Sequence, residues 1–323
     1  MGYTDFPNGI TSFGVRVFGG GGMGVTAFRR VYFVDKHQNN PSDGNTGLSI
    51  DRPLATVQRA LDLVGDEDTI IVMMGDYDEQ LTTGLNIGSI SAVAPGTAAA
   101  GRGRNVNLIG ASPGTYPYNS PQLYNVSGST VTLEMRSPGW RVSGFRIVGD
   151  TGSPLCMRVN MAQAASTADT LWSPGTQIDH CVFYGAVGNC SGLDHRDSPP
   201  DIRVLNNIFE LFQNGLSCIT QSNSSFARGY RNTCSYNQFI DSDKYINLAP
   251  GGFASSHFIG NSFDSGHVNT VTTFLDNTGG SNCTIALNYF PDTYNIASGY
   301  VAGTADNWNG NFGSGGVTAA VPA

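Results

Sequence analysis

Two groups of residues in the second half of the chain have the types and spacing that acid–base chemistry requires. Asp241 and Asp243 stand two positions apart, and His195 lies in the charged run 194–197. Alternate residues of a strand point the same way, so the aspartates could supply the two carboxylates of a polysaccharide hydrolase. His195 could donate or accept a proton near neutral pH.

Ordinary structural roles compete with this chemistry. Asp241 and Asp243 follow a position where a turn is expected, and acidic residues are common in turns. The run 194–197 continues into Ser-Pro-Pro and is predicted to be an exposed, ion-paired surface loop. We therefore assign no catalytic residue, and Asp241, Asp243 and His195 stay as candidates only. The prediction leans towards a non-enzymatic protein, with a polysaccharide hydrolase or lyase as the enzymatic alternative.

Motifs for cofactors and metals are absent from the sequence. The six cysteines form no Cys-x-x-Cys pair, the histidines lack metal spacing, and no phosphate-binding glycine motif occurs. The cysteines are predicted to be free thiols that fill the core as small apolar side chains, and Cys181 with Cys190 would be the pair if a disulfide exists. No cofactor and no metal are expected.

Composition favours short strands over helices. The chain has 323 residues, 42 of them glycine, and only 13% are charged, so the charged helix formers of surface helices are scarce. The net charge of −8 and the lack of a basic stripe argue against nucleic-acid binding. Neither a membrane span of about 20 apolar residues nor a signal peptide is recognisable. We expect synthesis in a host cytoplasm and no membrane partner.

The segment 31–79 contains five elements in a characteristic order. An apolar strand at 31–35 precedes a turn cluster at 42–47. Apolar residues at 54, 57, 60, 61 and 64 predict an amphipathic helix over 53–64 with Pro53 near its start. A buried strand follows at 69–74, and then Gly-Asp-Tyr-x-Glu. This order resembles the N-terminal cap of pectin-lyase-like β-helix proteins, which implies that the helix plugs the core and that the first coil begins at 68–72.

A repeated Asn-x-Phe triplet indicates a solenoid. Successive phenylalanines of the triplet are 30, 24 and 27 residues apart, which suits coils of three short strands and three turns. We therefore predict an all-β fold, a right-handed parallel β-helix spanning about Val106 to Pro291. The triplets are Asn207 with Phe209, Asn237 with Phe239, Asn261 with Phe263, and Asn288 with Phe290.

Each member of the triplet has a predicted role. The phenylalanines are expected to stack in the core, and the asparagines to sit in left-handed turns and bond to the coils above and below. An exposed, ligand-binding row of asparagines is the alternative. Upstream, Phe183 and then Phe145 are predicted to continue the stack, with an outward loop at about 150–175 filling the longer interval between them.

The two ends of the chain point to a particle-bound protein. Residues 1–18 are predicted to form an extended anchoring arm, followed by a glycine-rich linker at 19–30. Residues 6–15 resemble the N-terminus of tailed-phage virion proteins that carry a β-helix, and 306–317 resemble their C-terminus. One departure is Arg16, where that resemblance implies proline. The proposed anchor residues are Tyr3, Phe6, Pro7, Ile10 and Phe13.

Two functional hypotheses follow from these resemblances. In the first, the chain is a non-enzymatic virion protein, a capsid decoration or cement protein on the outer surface of the particle. It would form a homotrimer and bind the major capsid protein or another virion protein. In the second, it is a tailspike-like protein that binds or depolymerises a host surface glycan. The predicted divisions are the arm 1–18, linker 19–30, cap and first coil 31–79, β-helix body 80–291, and a C-terminal capping or oligomerisation segment 292–323.

Overall fold

A computed structural model gives the architecture of most of the chain. It describes residues 10–12, 15–18, 30–37, 40–79, 81–82, 103–111, 120–124, 131–149, 154–160, 173–186, 190–196, 199–222, 229–249, 251–264, 271–290, 300–301 and 303–313. Within these ranges there is one α-helix and a series of short strands. No helix among them is long and apolar enough to cross a membrane.

Three long parallel sheets form the body of the molecule, and each coil contributes to them in turn. The ten-stranded sheet contains β3 Val31–Val34, β4 Thr69–Val72, β7 Asn107–Gly110, β10 Arg141–Ser143, β13 Gln177–Asp179, β16 Arg203–Leu205, β20 Thr233–Ser235, β24 His257–Ile259, β27 Thr284–Ala286 and β29 Asn307–Asn309. The seven-stranded sheet contains β5 Asp76–Asp78, β8 Gln122–Tyr124, β11 Arg146–Gly149, β14 Val182–Gly185, β17 Ile208–Glu210, β21 Gln238–Ile240 and β25 Ser262–Phe263. The eight-stranded sheet contains β6 Leu81–Thr82, β9 Leu133–Met135, β12 Leu155–Asn160, β15 Ser191–Arg196, β18 Ser217–Thr220, β22 Lys244–Asn247, β26 Thr273–Asp276 and β28 Tyr300–Val301.

Two small pairings lie outside these sheets. Strands β1 Ile10–Ser12 and β2 Val15–Phe18 pair antiparallel within the predicted arm. Strands β19 Gly229–Tyr230 and β23 Phe253–Ala254 pair in parallel. The parallel order of the three long sheets confirms the predicted parallel β-helix, and right-handed is the hand that connections between parallel strands adopt. The stack extends beyond the predicted 106–291 at both ends.

The N-terminal cap contains a shorter helix than the sequence predicts. Helix α1 spans Val57–Leu63, so its predicted start near Pro53 is wrong. Thr56 is the N-cap and accepts a hydrogen bond from the Arg59 amide, while the Glu79 carboxylate accepts from the amides of Val57 (2.9 Å) and Gln58 (2.8 Å). A carboxylate at this end satisfies amides that lack partners within the helix. Strand β3 pairs with β4, so the stack begins one strand before the expected first coil.

The predicted phenylalanine stack lies in the core. The ring centroids of Phe183 and Phe209 are 4.6 Å apart, and those of Phe209 and Phe239 are 5.2 Å apart. Phe263 continues the stack at 4.9 Å and Phe290 at 5.0 Å. Near-parallel stacking follows from the register, because each phenylalanine opposes the one in the next coil.

The asparagines of the triplet form a buried hydrogen-bonded column beside the phenylalanine stack. The Oδ1 atom of Asn237 accepts from the amide of Asn207 at 3.0 Å, and the same bond joins Asn237 to Asn261 and Asn261 to Asn288. Asn311 adds a further rung, since its Oδ1 accepts from the amide of Asn288 at 3.0 Å. The column therefore continues into the predicted C-terminal segment.

Several details of the predicted coil are wrong. The left-handed conformation belongs to the residue before each asparagine, for example Tyr236 (φ 59°) and Leu287 (φ 57°). The register places Ile147, not Phe145, opposite Phe183, and Phe145 fills the level of the asparagines. The stretch 150–175 is not all loop, because it contains β12; its residues 150–153 and 161–172 lie outside the described residues.

The cysteines and the arm complete the comparison with the sequence. All six cysteines are buried free thiols, as expected. Cys181 lies against Asp179 and Val142, whereas Cys190 neighbours Cys156, so Cys181 with Cys190 is the wrong pair to single out. The anchor residues Tyr3, Phe6, Pro7 and Phe13 lie outside the described residues, and Ile10 lies in β1.

Candidate functional site

The two aspartates proposed for catalysis occupy the turn between β21 and β22. Asp241 has a positive φ of 42° and is buried. The Oδ2 atom of Asp243 accepts a hydrogen bond from the Gly215 amide at 2.7 Å, and its carbonyl accepts from the Thr272 amide at 2.8 Å. These contacts join three coils, so Asp243 has a structural role in packing the turns of successive coils.

His195 lies on a strand and not on the predicted exposed loop. It belongs to β15, is only 1% exposed and packs edge-on against the ring of Phe253 at 5.0 Å. Burial lowers the pKa of His195 to about 3, so the imidazole is neutral at ordinary pH. The surface-loop prediction is wrong because side chains alternate along β15: Leu193 and His195 face the core, while Asp194 faces outward.

Asp194 belongs to an ionic group on the outer face of the eight-stranded sheet. The register places Glu134, Arg158 and Asp194 side by side on β9, β12 and β15. Arg158 Nε lies 3.0 Å from Asp194 Oδ2, and Arg158 Nη1 lies 4.0 Å from Glu134 Oε1. Arg136 Nε donates to Glu134 Oε2 at 3.0 Å. Both carboxylates are thus held by guanidinium groups.

The ionic group continues across the sheet as a row of polar side chains. In register with Asp194 come Thr220, Asn247 and Asp276 on β18, β22 and β26. We call the row from Glu134 to Asp276 the polar column. Six adjacent strands at about 4.8 Å spacing make it roughly 24 Å long.

Two carboxylates of the polar column lie on the strands that flank β12. Glu134 and Asp194 are two strands apart, which is about 9.6 Å between main chains. Inverting hydrolases separate their carboxyl groups by roughly 6.5–9.5 Å, with room for a water molecule between them. Here Arg158 occupies the intervening strand and contacts both carboxylates. Ser222 also donates to Asp194, from its amide at 2.9 Å and its hydroxyl at 2.6 Å.

A second cluster lies on the outer face of the ten-stranded sheet around Asp179. Arg141 donates to both carboxylate oxygens, from Nε at 2.8 Å and Nη2 at 2.9 Å. Ser143 donates at 2.6 Å, Gln177 at 2.7 Å, and His180 Nδ1 lies 2.9 Å away. Burial alone would raise the pKa of Asp179, but the hydrogen bonds from His180 and Arg141 outweigh it and hold the pKa well below its usual range.

His180 is the exposed member of this second cluster. Its φ of 53° is left-handed, and its side chain is 64% exposed while that of Asp179 is 2% exposed. The hydrogen bond to Asp179 raises the pKa of His180 above its ordinary value. A histidine oriented by a carboxylate can exchange protons, although Ser143 bonds to the carboxylate and not to the imidazole. The adjacent pair Asp179-His180 was the only signal of this cluster in the sequence.

Metal binding finds no support in the described part of the chain. No group of three or more His, Cys, Asp or Glu side chains there could hold a metal ion. The candidates predicted from the sequence do not form one site with the polar column. Asp243 lies four residues before Asn247 of that column, roughly 13 Å along the strand, and His195 points into the core.

Comparison with known proteins supports the fold. No protein-family profile matches the chain, and no curated protein sequence matches it. Among solved structures, Escherichia coli YbhC superposes with a TM-score of 0.52 and 12% identity over 94% of this chain and 90% of YbhC. The GH136 lacto-N-biosidase of Eubacterium ramulus has a TM-score of 0.52 and 10% identity, covering 81% of this chain and 56% of the biosidase.

A phage protein is also among the structural neighbours. The tailspike protein of the Escherichia coli bacteriophage HK620 superposes with a TM-score of 0.45 and 11% identity, over 78% of this chain and 45% of the tailspike. Pectin methylesterases are further neighbours. The superpositions on YbhC and the lacto-N-biosidase, both at a TM-score of 0.52, support the fold alone and leave function to the residues of this chain.

Proposed function

We propose that the chain is a non-enzymatic structural protein of a tailed-phage virion. Its β-helix would project from the particle as a capsid decoration, and its N-terminal arm would bind the major capsid protein or another virion protein. The observation that carries the non-enzymatic part is the engagement of the clustered outer carboxylates: Glu134, Asp179 and Asp194 all bond to arginine, and the last two also to hydroxyl groups. The virion part rests on the resemblance of residues 6–15 and 306–317.

The ion pairs favour a scaffold over a catalyst for an energetic reason. A hydrolase needs one protonated carboxyl group and a second one open to water or sugar. Opening the Arg158 pairs would leave a nearly buried charge without its partner, which costs about 3–5 kcal/mol. A substrate would have to supply that energy before any reaction. Kept closed, the same pairs strengthen the stacking of coils.

The location of the protein on the particle tests this proposal. Immunogold labelling or cryo-electron microscopy of virions should find many copies distributed over the head. In a second experiment, protein lacking residues 1–18 should fold with the same circular dichroism spectrum but fail to cosediment with particles stripped of the native protein. A few copies at the tail, or full occupancy by the truncated protein, would overturn the decoration role or the arm respectively.

The proposed homotrimer is testable separately. Sedimentation equilibrium of the purified full chain should give three times the chain mass of 34.1 kDa. A monomer at micromolar concentration would contradict the trimer without affecting the decoration role.

A second candidate function is recognition of a host surface glycan, as a tailspike-like binder or depolymerase. The polar column favours it, because a row of hydroxyl, amide and carboxylate groups about 24 Å long suits a chain of sugars. Incubation with host polysaccharide should then lower its viscosity or release reducing ends. Replacing Asp194 with Asn should abolish that activity, and Asp243→Asn should leave it unchanged. Unaltered polysaccharide with the wild-type protein would exclude the depolymerase.

A further inference from the structure

The described residues expose few large apolar side chains, and most of these gather in one place. Four of the seven lie within four consecutive coils, at the corner where the ten-stranded sheet turns into the seven-stranded sheet. They are Tyr236 (61% exposed), Leu287 (56%), Tyr289 (45%) and Phe312 (45%), which we call the aromatic shelf. Of the other three, Met74 lies at the same corner but in the coil of β4 and β5, several coils away, and Leu48 and Tyr230 lie elsewhere.

Backbone register explains why these side chains are neighbours. The Tyr236 amide bonds to the next coil at Ile259, and the Leu287 amide bonds to the coil beyond it at Asn309. Bridges pair Ser262 with Tyr289 and Tyr289 with Phe312, so these three stand side by side. Tyr236 and Leu287 occupy the same left-handed turn position two coils apart, a separation of about 10 Å.

A glycine in the next coil lies against each of two members of the shelf. A Cβ atom on Gly260 would lie 2.6 Å from Cε1 and 2.7 Å from Cδ1 of Tyr236, so the tyrosine ring packs directly on the Gly260 main chain. Gly310 accommodates Leu287 in the same way, with the nearest side-chain carbon 3.3 Å from its Cβ position. Both side chains thus pack against glycine main chain and stay more than half exposed.

Polar, uncharged side chains extend the outer row that contains Tyr289 and Phe312. Gln238 and Ser262 are exposed and precede Tyr289 and Phe312 in the same outer row, which carries no formal charge from Gln238 onward. The polar column, by contrast, contains Glu134, Arg158, Asp194 and Asp276. Aromatic faces beside uncharged amide and hydroxyl groups suit a neutral ligand that carries both C–H faces and hydroxyl groups.

We propose that the aromatic shelf binds a neutral polysaccharide strand running along the solenoid axis. The C–H face of a pyranose ring carries partial positive charge and stacks on the negative face of an aromatic ring. Tyr236, Tyr289 and Phe312 offer such faces, and Gln238 and Ser262 can exchange hydrogen bonds with sugar hydroxyls. Along the solenoid axis Tyr236 and Tyr289 are two coils apart, about 10 Å, which is comparable to two linked sugar rings. This site is distinct from the polar column and does not depend on the virion role.

Affinity electrophoresis of the full chain provides the test. Native gels would contain dextran or hydroxyethylcellulose as neutral probes, and polygalacturonate as an acidic probe. We expect a neutral probe to retard the wild-type protein, and the double variant Tyr236→Ala with Tyr289→Ala to lose about tenfold or more in affinity. Tyr230→Ala is the matched control, because Tyr230 is 43% exposed but lies outside the shelf. Tyr230 is in β19 and precedes strand β20 of its coil, whereas Tyr236 follows β20. It should migrate like the wild type.

Three results would overturn the proposal. The first is the absence of retardation in both neutral gels. The second is retardation that survives in the double variant, or that is lost with Asp276→Ala instead, which would place glycan binding in the polar column. The third is a wild-type oligomer that the double variant converts to monomer, which would make the shelf a subunit interface. Melting temperatures of all variants within a few degrees of the wild type would verify that each is folded.

Discussion

Replacing Asn237 with alanine should destabilise the β-helix strongly, because this side chain is a middle rung of the asparagine column. Its Oδ1 accepts from the amide of Asn207 (3.0 Å) and from Asn207 Nδ2 (3.1 Å). Its Nδ2 donates to the carbonyl of Val204 (2.9 Å) and to Asn261 Oδ1 (3.0 Å). All of these groups lie away from water, so alanine leaves them without replacement partners.

The magnitude follows from counting the groups left without partners. Asn207 retains a bond from its Nδ2 to Ile178, but its main-chain amide becomes an orphan donor. The Val204 carbonyl also loses the hydrogen bond that it accepts from Asn237 Nδ2. At about 1–3 kcal/mol for each buried unsatisfied group, with a small cavity added, the free energy of unfolding should fall by about 3–5 kcal/mol.

Urea unfolding followed by circular dichroism measures this change. The control is Asn309→Ala, since Asn309 is an exposed asparagine of β29, and its effect should stay within about 0.5 kcal/mol. Because coils can open locally, hydrogen exchange at the Asn207 amide should also accelerate in Asn237→Ala. Equal stability of the two variants would refute the idea that the column holds the coils together.

Two further predictions concern the outer clusters. Arg158→Met should destabilise the protein by about 3–5 kcal/mol at pH 7, because it leaves Glu134 and Asp194 nearly buried and without this partner; a loss that does not shrink when Glu134→Gln and Asp194→Asn are added would contradict the ion-pair reasoning. The raised pKa of His180 in the folded protein means that its pairing with Asp179 stabilises fully below the unfolded pKa of about 6.5, and that this contribution is lost as pH rises through the folded pKa. His180→Ala should therefore lower the free energy of unfolding at pH 5.5 more than at pH 8.5. The difference should be under about 1 kcal/mol, because the ring is exposed. Urea midpoints that shift equally at both pH values would show that the His180–Asp179 pair does not stabilise the fold.

The sequence was sufficient for the fold because its repeated element is also its packing unit. Phenylalanine recurs at coil-length intervals because each ring must stack on the ring in the next coil. The same logic failed at Phe145, which is aromatic but fills the level of the asparagines, two positions away from the stack. The residue type alone does not show whether an aromatic side chain occupies the inward level of the phenylalanines or the neighbouring level of the asparagines.

The outer clusters could not be predicted from the sequence for a different reason. Arg141 and Asp179 are 38 positions apart, and Arg158 and Asp194 are 36 apart, so their contact depends on coil lengths that vary along the chain. The prediction that His195 lies on a surface loop was wrong because charged neighbours and a following Pro-Pro are typical of loops. The alternation of Leu193, Asp194 and His195 was the available sign of a strand, and it predicts an inward histidine beside an outward aspartate.

Register links the core to both proposed binding surfaces. The asparagine column and the phenylalanine stack fix each coil directly over the last, and a slip of one residue would turn every inward side chain outward. Because the inner side chains are aligned in this way, the outer ones must also stand in columns, whatever their chemistry. Selection on those outer positions can then place charges that neutralise one another around Arg158, or rings seated on glycine at Tyr236. Functional residues of this solenoid are therefore expected among the outer columns, whose side chains differ in chemistry from one column to the next, because the side chains of the inner columns form the packed core.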